Sequence, residues 1–123
     1  MKSGRGHPDG VVGVVVYVTE GEEETSFTKE ILYALEEEQL PYSTEIGKFK
    51  SSDLVQMAYL AATKSIFGVG ICIGQSRVIL HHSKLPKEKP LFVISNNQNK
   101  VNRAWLLGLN AARLIKGVPF ENI

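Results

Sequence analysis

Glu36, Glu37 and Glu38 are three consecutive carboxylates in the stretch LEEEQLPY, residues 35–42, where a run with helical spacing comes to an end. Carboxylates are preferred ligands for hard divalent cations. They are unfavourable at a helix C-terminus, where the macrodipole presents its negative pole, and no Lys or Arg stands beside them in the sequence. The residues alone leave two readings open. Either the run is a solvated helix end that tolerates charge, or one carboxylate completes a cation site supplied mostly by another protein. On a wheel centred on Phe27, Ile31 and Leu35, Glu36 points outward, Glu37 lies on a flank, and Glu38 turns back toward the core unless the helix has frayed.

The other chemistry-bearing residues make weaker sets. His81 and His82 are neighbours on an extended segment, so their side chains face opposite sides and cannot easily clamp one metal ion. With only His7 elsewhere, histidines alone assemble no HxH or HxxxH ligand set. One packed and one exposed imidazole is the expectation. Cys72 lies within the apolar run FGVGICI, where a free cysteine behaves as a small hydrophobe rather than a nucleophile. Gly68, Gly70 and Gly74 do not form GxGxxG at a strand–helix junction, and neither a P-loop nor a GxSxG elbow is present. The amide-rich SNNQNKVNR, residues 95–103, reads as a turn whose side chains cap the helix that follows.

The elements that would position these residues follow from pattern. Val11 to Val18 is β-branched and apolar on both faces, as in a strand buried on both sides. Thr19 to Thr25 is an acidic loop. Ser26 to Glu38 is an amphipathic helix capped by Thr25 or Ser26 and stopped before Pro41. Tyr42 to Ile46 is a short strand, and Ser51 or Ser52 caps a second helix through Ala62. Phe67 to Ile73 and Arg77 to His81 flank the turn Gly74-Gln75-Ser76 as a hairpin. Leu91 to Ser95 is a last strand, and Val101 to Lys116 a last helix closed by Gly117 and Pro119. The order β-α-β-α-β-β-β-α predicts a mainly parallel sheet with helices on its faces, in three layers.

Composition bounds the partners. The chain has 123 residues, 14 basic against 13 acidic side chains and a net charge of +1. One α/β domain over residues 11–123 is expected, after a polar Gly/Pro-rich tail at 1–10. The balanced charge gives no electrostatic reason to expect nucleic acid or an anionic membrane. VVGVVVYV is too short to span a bilayer, and a single cysteine excludes an internal disulfide framework. A reducing cytoplasm is the expected setting.

The segments LEEEQLPY, VGICIGQSRVILHHSKLP, PLF and, most specifically, NAARLIKGVPF resemble the small subunit of diol and glycerol dehydratase reactivating factors. The resemblance runs in order over residues 11 to 121, outside the tail and the Glu20 to Glu24 loop. It implies a non-catalytic, chaperone-like subunit with the fold of the dehydratase medium subunit. It implies a large ATPase-like subunit as partner and the dehydratase as indirect partner through subunit exchange, which releases damaged cobalamin. By position in the EEE run, it implies that Glu37 reaches a Mg2+ ion at the subunit interface, held mainly by the large subunit. No tightly bound cofactor is expected in the isolated chain. The setting implied is the cytoplasm, free or in a bacterial microcompartment. Two alternatives stand beside it. One is a medium subunit of an adenosylcobalamin-dependent dehydratase, which usually carries a longer N-terminal extension. The other is a small flavodoxin-like ligand-binding module, against which the acidic TEGEEET loop argues, because it would repel an anion.

Overall fold

The computed structural model describes residues 10–123; the tail expected over 1–10 falls, except for Gly10, outside the described residues. The elements are β1 (Val14–Thr19), α1 (Ser26–Glu37), β2 (Tyr42–Gly47), a 3-10 turn (Ser51–Asp53), α2 (Leu54–Lys64), β3 (Val69–Ile73), β4 (Arg77–His82), β5 (Phe92–Ser95) and α3 (Val101–Lys116). The strands form one sheet in the order β2-β1-β3-β4-β5.

Alternation along β1 sorts the core into two layers. Val14, Val16 and Val18 face Phe27, Ile31 and Leu35 of α1 and Ala104, Leu107 and Ala111 of α3. Val15 and Tyr17 face Leu54, Ala58 and Ala61 of α2. This is the three-layer α/β arrangement that the pattern of elements predicts.

The sheet is mixed, not mainly parallel. β1 pairs in parallel with β2 and β3, whereas β3 with β4 and β4 with β5 are antiparallel. The cause is a single reversed strand. Residues 74–76 give β4 a hairpin turn, and residues 83–91 are too few for a helical crossover, so β5 must also return antiparallel to β4.

The first strand also starts later than its apolar run. Gly13 has φ +113, a conformation L side chains rarely adopt, and a Cβ there would meet the Pro41 carbonyl oxygen at 2.2 Å. The chain bends at that point, and Val11 instead pairs with the far end of α2, its N–H donating to the Lys64 carbonyl at 2.8 Å. Val14 then starts the strand, its N–H donating to the Pro41 carbonyl at 3.0 Å.

Candidate functional site

α1 begins at the carboxyl end of β1 and runs back to the opposite edge of the sheet, where its acids sit. The Thr25 hydroxyl accepts from the Thr28 N–H at 3.3 Å, capping the first turn. A second cap comes from a distance: Gln98 Oε1 accepts from the Phe27 N–H at 2.9 Å. The amides of residues 95–103 were expected to cap α3, yet α3 has no side-chain cap. They serve α1 and the strand ends instead, because β5 delivers them beside the start of α1. Asn96 donates to the Gly74 carbonyl at 2.6 Å and to Glu22 at 2.9 Å, and Gln98 donates to Asn96 at 2.8 Å.

The other end of α1 is closed by backbone geometry. Gln39 has φ 61, the left-handed position usually given to glycine. The Leu40 N–H reaches the Leu35 carbonyl at 2.9 Å and the Gln39 N–H reaches that of Glu36 at 3.0 Å, the paired bonds of a Schellman end. The last carbonyls are thereby partly satisfied, which softens the negative helix end on which three acids stand.

The three carboxylates have different fates. Glu36 accepts a hydrogen bond from the Tyr42 hydroxyl at the start of β2. Glu38 pairs with Lys116 of α3 at 2.7 Å, so the base missing from the sequence neighbourhood is supplied through space. The wheel position of Glu38, turned back toward the core, is what brings it to α3. Glu37 is exposed and has no hydrogen bond or ion pair among the described residues. One turn before it stands Tyr33, an aromatic ring left 49% exposed. Of the run, Glu37 alone keeps its carboxylate free for a partner.

The Glu36 bond has a consequence for Tyr42. That bond, then burial and the nearby negative charge, pushes the Tyr42 pKa up to about 12. Folding thus favours the neutral phenol. The stabilisation is complete below the unfolded value of about 10 and is lost as pH rises through the folded value. In an ultraviolet alkaline titration Tyr42, identified by its loss in Tyr42→Phe, should titrate late, and Glu36→Gln should bring it down toward the ordinary range. A late tyrosine that survives Glu36→Gln would show that Glu36 is not the cause.

The remaining candidates are structural. His81 is buried and fully engaged: its Nδ1 accepts from the His82 N–H at 2.9 Å, so Nε2 donates to the Lys87 carbonyl at 2.9 Å. Its ring lies edge-on to Tyr59. One exposed imidazole was expected of the pair, but His82 too is half-buried, and its Nδ1 accepts from the Lys84 N–H at 3.0 Å in the turn after β4. Burial first, then the charges of Lys84 and His81, lowers its pKa. Cys72 is buried, and burial pushes its thiol up to about 12, which leaves it a core side chain. Among the described residues no group of three or more His, Cys, Asp or Glu side chains is placed to hold a metal ion. A cation at Glu37 would therefore take most of its ligands from elsewhere.

Sequence reasoning missed Tyr42 and Lys116, which fix the neighbours of Glu37. Lys116 lies far from Glu38 in the chain, and only the side-by-side packing of α1 and α3 brings them together. It also missed a cleft of about 470 Å3 at the opposite, carboxyl edge of the sheet, lined by Thr19, Lys48, Phe49, Lys50, Leu54 and Gln75 among others.

Comparison with known proteins identifies the family. The family model for the dehydratase medium subunit matches residues 13–121. The chain is 36% identical over 108 residues, 88% of its own length and 89% of the relative's, to the propanediol dehydratase-reactivating factor small subunit of Citrobacter freundii. It is 33% identical to the diol dehydratase-reactivating factor small subunit of Klebsiella michiganensis, over 77% of this chain and 74% of that one. Among solved structures, a chain of a diol dehydratase-reactivating factor complexed with ADP and Mg2+ superposes with a TM-score of 0.81 at 29% identity, covering 91% of this chain and 99% of that one. A chain of a glycerol dehydratase reactivase gives a TM-score of 0.78 at 25% identity, covering 91% and 98%. With the family model matching residues 13–121 and its relatives' fold reproduced, the chain belongs to the dehydratase medium-subunit family, together with the small subunits of dehydratase-reactivating factors.

Proposed function

We propose that this chain is the non-catalytic small subunit of a reactivating factor for a diol or glycerol dehydratase, working with a larger, ATPase-like subunit. The observation that carries the reading is Glu37: within a family of subunits that assemble with a larger chain, it is an exposed carboxylate with no partner among the described residues, on a helix end that gains nothing from it. Its neighbours are occupied within the chain by Tyr42 and Lys116. The lone carboxylate suits a Mg2+ ion shared across the subunit boundary, where Mg2+ takes one or two protein carboxylates and finds its other ligands elsewhere. The ion would supply positive charge between the two subunits; this chain's part is to hold Glu37 at a fixed helix terminus facing it.

The shape supports the rest of the reading. A subunit built like a dehydratase medium subunit can take that subunit's place, so exchange between factor and dehydratase would open the inactivated enzyme and let damaged cobalamin leave. ATP hydrolysis belongs to the larger subunit in this scheme. The setting is the cytoplasm, free or within a microcompartment; no helix among the described residues is long and apolar enough to cross a membrane.

The family model, named for the medium subunit itself, favours a second reading in which the chain contacts cobalamin directly. One experiment separates them. The purified chain should form a complex with the large subunit of a dehydratase-reactivating factor in sedimentation, and calorimetry should show no stoichiometric uptake of ATP or cobalamin. Tight cobalamin binding would transfer the chain to the dehydratase, and tight ATP binding would sink both readings.

A further inference from the structure

The cleft lies at the sheet edge opposite Glu37. It opens where β1 leads to α1 on one face of the sheet and β2 leads to α2 on the other, outside the strands' carboxyl ends. Crevices at such a topological switch point are where open α/β sheets take ligands.

Its walls are fixed by packing. Phe49 stacks on Tyr17 with ring centroids 5.4 Å apart and planes 11° from parallel. The same ring covers Gly47, where a Cβ would meet it at 2.8 Å. Leu54 forms an apolar floor and lies over Gly74, where a Cβ would meet it at 2.5 Å. Two glycines thus hold an aromatic wall and an aliphatic floor in place.

A polar group lies beside this space with nothing to bond. Thr19 is 7% exposed, lines the cleft, and its hydroxyl has no hydrogen-bond partner. A buried hydroxyl left unpaired costs about 1–3 kcal/mol, a cost that a ligand would relieve. Lys48 and Lys50 stand at the rim, exposed and with no ion pair among the described residues.

The acidic loop beside the cleft offsets those two cations only in part, because three of its four carboxylates bond to groups of their own. Glu22 accepts from Asn96 at 2.9 Å, Glu23 from the Gly21 N–H at 2.6 Å, and Glu24 pairs with Lys29 at 3.2 Å. Only Glu20 of that loop lines the cleft. The sequence suggested that TEGEEET would repel an anion; folded, most of its carboxylates are turned to partners of their own.

We propose that this cleft binds a small organic anion, with an apolar body against Phe49 and Leu54, a carboxylate or phosphate at Lys48 and Lys50, and an oxygen on the Thr19 hydroxyl. The site is independent of the Glu37 contact, since the two lie at opposite edges of the sheet.

The test uses the full chain, with benzoate and phenyl phosphate as charged probes and benzyl alcohol as the neutral control, followed by amide NMR shifts. Both anions should shift the Thr19, Ser51, Gln75 and Ser76 amides saturably, and benzyl alcohol should bind far more weakly. The tighter of the two anions identifies the charged group the site prefers. Thr19→Val removes the hydroxyl at nearly constant shape and should weaken the anions roughly tenfold, as expected for a hydrogen bond to a charged group. The double change Lys48→Gln with Lys50→Gln should weaken the anions and leave benzyl alcohol as it was. Absence of saturable shifts with either anion in the correctly folded protein would overturn the proposal. So would anion affinities unmoved by both sets of variants, or equal binding of the alcohol.

Discussion

Glu37→Gln should weaken association with the larger subunit by roughly 30-fold or more in the presence of magnesium, and by far less in its absence. The substitution keeps the shape and removes the charge. Losing one member of a desolvated charged contact costs roughly 2–5 kcal/mol, and each 1.4 kcal/mol is tenfold in affinity. The isolated chain should not suffer. Glu37 has no partner among the described residues, and removing a negative charge from a helix C-terminus gains up to about 1 kcal/mol. Opposite signs for folding and for assembly are the mark of a residue placed for a partner. Glu36→Gln serves as the comparison: it gives up the bond from Tyr42 and should leave the magnesium dependence intact. The measurement is a magnesium titration of complex formation for the wild type and both variants. If all three respond alike, the run is only a solvated helix end.

Gly70→Ala should be the most damaging small change in the chain, costing about 3 kcal/mol or more, near the upper end for overpacking a core. β3 passes so close under α2 that a Cβ at residue 70 would lie 2.2 Å from the Ala62 nitrogen and 2.6 Å from the Ala58 carbonyl oxygen. Real Cβ atoms do not approach so near, and backbone cannot rotate aside as a flexible side chain can. Strand and helix must separate, opening the layer that contains Val15, Tyr17, Cys72 and Ile79. For a domain of this size the loss corresponds to a fall in Tm of about 10 °C. Urea unfolding of the wild type and Gly70→Ala would give the difference directly. Truncating Ala58 or Ala62 to glycine should not rescue it, because the obstruction is main chain. Rescue by either truncation, or a cost below about 1 kcal/mol, would refute this account of the β3–α2 contact.

The local rules carried far in this sequence, and they failed where distant parts meet. Thr25 capping α1, the turn at residues 74–76 and the left-handed Gly117 after α3 each follow from a few neighbouring residues. The direction of β5 did not, because it depends on the strand it pairs with, and one reversed β4 changed two ladders. The role of the residue 95–103 amides was misplaced for the same reason: Gln98 caps Phe27, from the other end of the sequence. At the candidate site the acid run was plain and its internal division was not. Which carboxylate is free depends on Tyr42, six positions after Glu36 and across a chain reversal, and on Lys116, across two packed helices. The cleft gave no signal at all, since its lining comes from the ends of β1, β2 and β3 and the start of α2, which only the folded sheet brings together.

The mixed sheet also sets an order in time. Across the antiparallel half, partners such as Ile73 and Val78 are close along the chain, whereas the parallel half must join Val15 to Gly70 and Val16 to Thr44. Pairings that close short loops form faster than those that close long ones. The β3–β4 hairpin should therefore be protected early in refolding, and β1 with β2 late. Pulsed hydrogen exchange would read this as amides of residues 71–80 gaining protection before those of residues 15–18, and the reverse order would refute it. On this schedule the edge bearing Glu37 is among the last parts to be completed, because it is closed off by β2. The surface proposed to meet a larger subunit then exists only once the rest of the molecule is in place, so assembly through it would report on finished folding.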